Sequence, residues 1–316
     1  VIPPTSGILV LNKPPGISSR QCLDRVGRVL PRLKMGHAGT LDPMATGVLV
    51  VCFGKATRLI QYVQRMQKEY QLTMRLGVTS ATHDLESELQ AWLPALHIDS
   101  PDEPTPLRDP SQQIDWQALE QCLLRYSGTI MQVPPQYSAL HIAGRRAYEL
   151  ARAGHTVPLQ PRSVQIDRLV CERFQYPDAD LELQCSSGTY VRSLVRDIGN
   201  DLGCGAVMVR LIRTRVGAFQ LKDALDADTE LHLRSVLQAI RPLADALQQL
   251  PTVRIDSARI EDIRHGRAID AVACDRVLPS TECTIVDHAG TVLAVAQFDD
   301  AGRSLKPRTV LIDHAR

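Results

Sequence analysis

The chain has 316 residues, 44% of them apolar and 22% charged, with a formal net charge of +1. That much apolar material excludes a disordered tail and suits one large domain with a smaller one. No run of about eighteen apolar residues occurs, so no membrane span is expected, and Val1 to Pro14 lacks the basic-then-apolar pattern of a secretory signal.

Gly7 to Gly16 (GILVLNKPPG) reads as a short apolar strand ending in a Pro-Pro-Gly turn. Ser18-Ser19 can cap a helix through Leu23, Val26 and Leu30. Gly36 to Gly47 reads as a loop, Val48 to Gly54 as a buried strand and Lys55 to Met66 as a helix. From Glu69 to Gly77, Tyr70, Leu72, Met74 and Leu76 alternate with polar residues, the pattern of a half-buried strand. Residues 85–113, rich in Pro, Asp and Ser, read as a surface insertion. Trp116 to Tyr126 is expected to be helical, Val133-Pro134-Pro135 opens a second loop, and a helix is expected from Arg145 to Arg152. Arg168 to Phe174 and Leu181 to Cys185 suggest a strand pair, and Tyr190 to Leu202 a helix closed by Gly203. Leu233 to Leu250 suggests a helix stopped by Pro251. Beyond it come short β-like runs at 253–255, 284–286, 292–296 and 309–311, with Asp287 to Gly290 as a turn. The irregular alternation of strands and helices predicts an α+β fold, with residues 1–250 as the main domain and 251–316 as a small β-rich one.

Eight cysteines, at 22, 52, 122, 171, 185, 204, 274 and 283, form no C-x-x-C pair. They read as small buried residues of a reducing, cytoplasmic compartment, with no structural zinc site. The near-neutral charge is unevenly divided. Residues 1–83 hold eleven Lys/Arg against three Asp/Glu, a balance of +8, and residues 84–115 hold eight acids against Arg108 alone, a balance of −7. Four Arg against one Glu occupy 139–162, and five Arg against two Asp occupy 192–215. Taken singly, each basic stretch is a solvated helix face. Three of them beside one segregated acidic insertion point to a polyanion partner. The acidic segment 85–113 would be repelled by RNA and is expected to lie away from a bound strand.

The densest chemistry lies in Gly36-His37-Ala38-Gly39-Thr40-Leu41-Asp42-Pro43-Met44-Ala45-Thr46-Gly47. Its glycines and proline specify a shaped loop, and an Asp before Pro is forced toward extended backbone. Asp42 could equally cap a turn, with His37 a polar loop residue. The loop lacks the phosphate-binding patterns G-x-x-x-x-G-K-[ST] and G-x-G-x-x-G. A metal site from His37, Asp42, His83 and Asp84 has no support in the spacing.

This loop resembles the catalytic signature G-H-x-G-x-L-D-P-x-A-x-G-x-L of the TruB family of tRNA pseudouridine synthases. Four further segments agree in order. Gly7 to Gly16 resembles the family's Lys-Pro-x-Gly strand, and Lys68-Glu69-Tyr70 its Lys-x-Tyr motif. Pro134 to Leu140 with Gly144 to Gly154 resembles the RNA-gripping thumb, about 132–156. Cys185 to Arg192 (CSSGTYVR) resembles its C-S-x-G-T-Y-[IV]-R motif. The resemblance covers roughly residues 7–220 closely.

It implies an α+β pseudouridine synthase fold, with a mixed, mainly antiparallel sheet and a C-terminal PUA-type RNA-binding domain at 251–316. It also implies isomerisation of uridine 55 in the T-loop of tRNA, without cofactor or metal, by a monomer. Asp42 is implied as the catalytic Asp; attack at C1′, attack at uracil C6 and removal of the 2′ proton all stay open. Arg192 is implied as its ion-pair partner, Tyr70 as the aromatic stacked on the base, Tyr190 as a neighbouring active-site Tyr, Leu211 as pocket lining and Lys13 as support. Alone, Tyr70 would read as a core residue and Arg192 as a surface charge. His37 is implied to insert into the opened RNA loop, and Arg145, Arg146, Arg152, Tyr137 and Tyr148 to grip the strand. The chain departs from the family at Ala81 and Ser87, where an Asp and a Gly are usual. An RNA chaperone with little catalysis is a rival expectation, separable by a tRNA-folding assay. A metal-dependent hydrolase is another, separable by sensitivity to chelator.

Overall fold

The computed structural model describes residues 5–92, 114–138, 141–142, 145–153, 157–228, 230–271 and 281–312. Gly7–Lys13 forms β1 and Ser19–Val29 forms α1, entered through a capping box in which Gln21 N–H donates to Ser18 Oγ and Ser18 N–H donates to Gln21 Oε1. Met35–His37 (β2), Thr46–Phe53 (β3), Ile60–Arg65 (α2) and Lys68–Leu76 (β4) follow, with a 3-10 turn at Gly54–Leu59 leading into α2. Val78–Thr79 (β5) pairs with Gln90–Ala91 (β6). Then come Trp116–Leu124 (α3), Gly128–Gln132 (β7), His141–Ile142 (β8), Arg145–Arg146 (β9) and Ala147–Arg152 (α4). Arg162–Gln175 (β10), Asp178–Cys185 (β11), Val191–Asp201 (α5), Ala206–Val216 (β12), Phe219–Gln220 (β13), Leu225–Asp226 (β14) and Leu233–Gln238 (α6) complete the larger part.

Its central sheet runs β14-β1-β3-β12-β4-β11-β10-β7, with β2 also on β3 and β13 on β12. Only β1–β14 and β12–β3 are parallel. The fold is thus α+β with a mixed, mainly antiparallel sheet. Leu72, Met74 and Leu76 of β4 pack with Leu181 and Leu183 of β11 and with Leu194, Val195 and Ile198 of α5, in one apolar cluster with Leu119 and Leu123 of α3. Their period-two and 3.6 spacings put these residues on one face of each element.

Residues 252–310 form a second sheet, ordered Thr252–Arg254 (β15), Glu282–Val286 (β17), Val292–Phe298 (β18), Ser304–Val310 (β19) and Ile269–Asp270 (β16), with a short helix α7 at Ile260–Arg264. It has its own core around Ile263, Ile285, Ala296 and Phe298. It docks against α2: the Tyr62 hydroxyl donates to Glu282 Oε1 at 3.1 Å, and Val286, Val292, Val295 and Leu311 pack in one cluster with Tyr62 and Val63. Among the described residues no helix is long and apolar enough to cross a membrane.

Four expectations need correction. The helix expected over 233–250 stops at Gln238 and resumes only as a 3-10 turn at Leu243–Ala246. Pro242 lies between them; it has no N–H for the ladder and its ring clashes with the preceding turn. The helix expected from Arg145 begins at Ala147, because Arg145 and Arg146 pair with His141 and Ile142. Gly36 and His37, read as loop, extend β2 along β3. β12 was not anticipated: its five-arginine neighbourhood read as charged surface, although Ala206-Val207-Met208-Val209 already carries strand-forming residues. Of the acidic insertion, 85–92 is described and 93–113 lies outside the described residues.

Candidate active site

The loop between β2 and β3 crosses a split in the sheet. Along one edge β3 meets β2 through Val51 to Phe53 and β12 through Thr46 and Gly47. The 38–45 segment spans the gap, and Ala38 N–H donates to Val50 O at 2.9 Å.

Several side chains fix the backbone on either side of Asp42. The buried Ser19 hydroxyl accepts from Leu41 N–H at 2.9 Å and donates to Leu41 O at 3.1 Å. Lys13, 0% exposed, donates through Nζ to the carbonyls of Pro14 (2.8 Å), Ile17 (2.7 Å) and Pro43 (3.1 Å). Gly16 N–H adds a bond to Pro43 O at 2.9 Å. Burial pushes the Lys13 ammonium down to about 8. The Lys-Pro-Pro-Gly turn and Ser19, the first residue of α1, therefore hold the backbone of Leu41 and Pro43, the residues on either side of Asp42.

Asp42 meets Arg192, the second residue of α5. Arg192 Nε lies 2.9 Å from Asp42 Oδ2, and its Nη2 donates to Asp42 Oδ1 at 3.2 Å. The Arg192 side chain is 7% exposed and that of Asp42 32% exposed, so the pair opens to solvent on the carboxylate side only. Asp42 still lies deep among protein atoms. Burial is the largest influence raising its pKa, with Arg192 opposing and Asp84 adding to the rise.

The same guanidinium gathers two further segments. Its Nη1 donates to Thr82 O at 3.0 Å and its Nη2 to Tyr137 O at 2.9 Å. Its Nε lies 3.5 Å from Oδ2 of Asp84, a side chain with 0% exposure. Asp84 Oδ1 accepts from the Thr82 hydroxyl (2.5 Å) and from Glu86 N–H (2.9 Å), and the loop is tied to β12 by Met208 N–H donating to His83 O at 3.0 Å. Ser87, where a glycine was expected, accepts from Thr82 N–H at 3.1 Å and lies 2.8 Å from the Thr82 hydroxyl. Ala81, where an Asp was expected, is exposed. The loop therefore keeps Asp84 in place through Thr82 and Ser87.

Tyr70 is buried on β4, in one apolar cluster with Leu41, Ala45, Leu72 and Leu211. Burial raises its phenol pKa, and the Asp42 charge adds to the rise. Leu211 of β12 pairs with Leu72 of β4. Tyr190, the residue before α5, is held by Gln132 on both sides: its N–H donates to Gln132 Oε1 (2.8 Å) and its carbonyl accepts from Gln132 Nε2 (3.1 Å). Its ring lies under the Arg162 guanidinium, 4.5 Å from the centroid. His37 is half-buried on β2, opposite Val51. Tyr148 N–H donates to Ser138 O at 3.0 Å, which joins α4 to the segment after Tyr137. The backbone of Arg145, Arg146 and Arg152 lies in β9 and α4; their side chains lie outside the description.

The structure thus brings Asp42, Arg192, Lys13, Tyr70 and Leu211 to one region, with Tyr137 reaching it through its carbonyl. Sequence reasoning passed over Asp84 as a member of this group, and Arg213 and Gln132 altogether. The signal for Asp84 was its place in the loop after Lys68-Glu69-Tyr70, between the two departures Ala81 and Ser87; Gln132 carries none. Among the described residues no cluster of three or more His, Cys, Asp or Glu is arranged to hold a metal ion. The arrangement offers an oriented carboxylate at a partly open surface, backed by a cation and flanked by a phenol.

Comparison with known proteins agrees with the motif order. The TruB family pseudouridylate synthase N-terminal domain matches residues 28–191, and the tRNA pseudouridylate synthase B C-terminal domain matches 192–248. The chain is 39% identical over 312 residues to tRNA pseudouridine synthase B of Pseudomonas paraeruginosa, covering 97% of this chain and 96% of that protein. It is 38% identical over 301 residues to the enzyme of that name from Cutibacterium acnes, covering 93% and 94%. A solved chain from an H/ACA ribonucleoprotein bound to a substrate RNA containing 2′-deoxyuridine shares the fold at a TM-score of 0.71 and 21% identity, covering 97% of this chain and 85% of that one. By sequence along nearly its whole length, this chain belongs to the TruB family of pseudouridylate synthases, enzymes that isomerise uridine to pseudouridine.

Proposed function

We propose that this protein converts uridine 55 in the T-loop of tRNA to pseudouridine, with Asp42 as the catalytic carboxylate. The observation that carries the reading is the Arg192 fork on Asp42, at 2.9 and 3.2 Å, at the one face of the pair open to solvent. The guanidinium opposes the rise that burial causes and aims the carboxylate in a site otherwise costly for charge. The carboxylate can attack C1′ or uracil C6, or take the 2′ proton; each route breaks the N1–C1′ bond, lets the uracil turn, and closes a C5–C1′ bond. Tyr70 stacks on the everted base and its phenol moves the C5 proton. Tyr190 and Leu211 line the pocket, and Lys13 supports the loop.

Drawing a base out of a structured loop costs a few kcal/mol. His37 fills the opened loop, while Tyr137, Arg145, Arg146, Tyr148 and Arg152 grip the strand. Residues 1–250 act as the catalytic domain and 251–316 as a PUA-type RNA-binding domain, in a cytoplasmic monomer. The same base extraction unfolds the T-arm, so remodelling of tRNA accompanies catalysis. The test is carbodiimide mapping of unmodified tRNA after incubation with the protein. A new pseudouridine confined to position 55 is expected; unmodified tRNA after long incubation would refute the reading.

A further inference from the structure

We propose that Arg213 is a positioning residue of this reaction: its guanidinium ties together the two ends of the Asp42 loop and the Tyr70 phenol, and so sets one against the other. This rests on the roles proposed above for Asp42 and Tyr70.

Arg213 stands at the split in the sheet. Where β2 and β12 diverge along β3, the Val48 carbonyl faces the gap, and no strand reaches it there. Arg213 Nε donates to it at 2.7 Å. From the same guanidinium Nη2 donates to Gly39 O at 3.1 Å. Gly39 and Val48 bracket Asp42, so one rigid planar group fixes the width of the loop at its base. In the ladder Arg213 pairs with Gly47 of β3 on one side and with Tyr70 of β4 on the other. Contact with β3 is close: a Cβ on Gly47, where φ is +98°, would lie 2.3 Å from the Arg213 carbonyl oxygen. On the other side, the Arg213 charge and hydrogen bonding favour the ionised form of the Tyr70 phenol, against its burial.

The cost of this residue points the same way. Arg213 is 2% exposed, and among the described residues no carboxylate forms an ion pair with it. Lys13 and Lys68, both buried, feel its positive charge as repulsion. A strut needing only strand pairing would be served by an apolar side chain at no desolvation penalty. What the guanidinium supplies instead is directed hydrogen bonding to the loop and a positive field at the phenol.

The experiment uses the full chain with unmodified tRNA. Single-turnover rate, tRNA Kd and melting temperature are measured for the parent, Arg213→Lys and Arg213→Gln. A misplacement of the order of 1 Å costs about 100-fold in rate. Arg213→Gln is expected to lose about that factor with Kd within about threefold of the parent; Arg213→Lys, which restores the charge without the fork, is expected to recover roughly tenfold of it. Rates within about threefold of the parent for both folded variants overturn the proposal. So does an equal loss in Lys and Gln that follows their melting temperatures, or failure of both to fold, since Arg213 is then only a core strut. A parent that forms no pseudouridine sinks the functional reading before any variant is compared.

Discussion

Arg192 stands between two carboxylates, its Nε 2.9 Å from Asp42 Oδ2 and 3.5 Å from Asp84 Oδ2. One cation shared by two acids cannot neutralise both, and the Asp84 charge raises the pKa of Asp42 while Arg192 lowers it. Asp84→Asn removes the raising charge and leaves Arg192 to Asp42 alone. The Asp42 pKa then falls, and the acid limb of the single-turnover rate moves to lower pH. Burial, the largest cause of the rise, is unchanged, so the shift is partial. A pH profile of parent and variant between about pH 4 and 8 checks this; an acid limb that stays in place or moves up contradicts it.

Asp42→Ala should remove pseudouridine formation by about a thousandfold or more and leave tRNA binding within about threefold. The substitution leaves the Asp42 carbonyl bonded to Ala45 N–H and removes only the side-chain contact to Arg192, whose other acceptors, Thr82 O and Tyr137 O, remain. Filter binding and the carbodiimide assay separate the two effects. Near-normal turnover in this variant would remove Asp42 from its proposed role, and tRNA remodelling that survives it would separate that activity from catalysis.

The Asp42 loop was legible because its chemistry is local: glycines, an Asp-Pro step and a following apolar run specify a shaped turn ahead of a strand. Lys13, Tyr70 and Arg192 became informative only as ordered motifs, since each alone reads as an ordinary strand or surface residue. Arg213 was illegible for the opposite reason. Charge predicts exposure, and only the split between β2 and β12 supplies the unpaired carbonyl that makes an arginine useful inside. Asp84 is similar: a loop acid by sequence, it is drawn to 0% exposure by a guanidinium 108 residues later in the chain, at Arg192. The helix at 233–250 failed on a single residue, Pro242, that the apolar pattern masked.

Ser19→Ala tests the clamp on the loop. The hydroxyl makes two bonds to Leu41, one to each side of its backbone, and both groups are buried. Removing it leaves a donor and an acceptor without partners, at about 1–3 kcal/mol each before relaxation. A loss of about 1–3 kcal/mol in urea unfolding is expected, together with a lower single-turnover rate at unchanged tRNA Kd. Ser19→Thr, which keeps the hydroxyl, should restore the rate; equal rates for Ala and parent would show that the clamp does not set Asp42.

His83 gives a pH-dependent stability with a definite sign. Burial, then Arg196 and Arg192, push its imidazole down to about 4, and its Nδ1 is buried without a hydrogen-bond partner. The unfolded chain, with an ordinary histidine near 6.5, binds the proton first. Stability from the neutral ring is therefore complete above about 6.5 and is lost as pH falls toward 4. Its ceiling is roughly 3 kcal/mol, and partial solvent access lowers it. His83 also sits at φ +59°, a conformation that Asn tolerates better than most residues. His83→Asn should thus fold, and its melting temperature should fall less than that of the parent between pH 6.5 and 4. Parallel curves for the two proteins across that interval would show that the imidazole is not held neutral by its burial and the nearby Arg196 and Arg192.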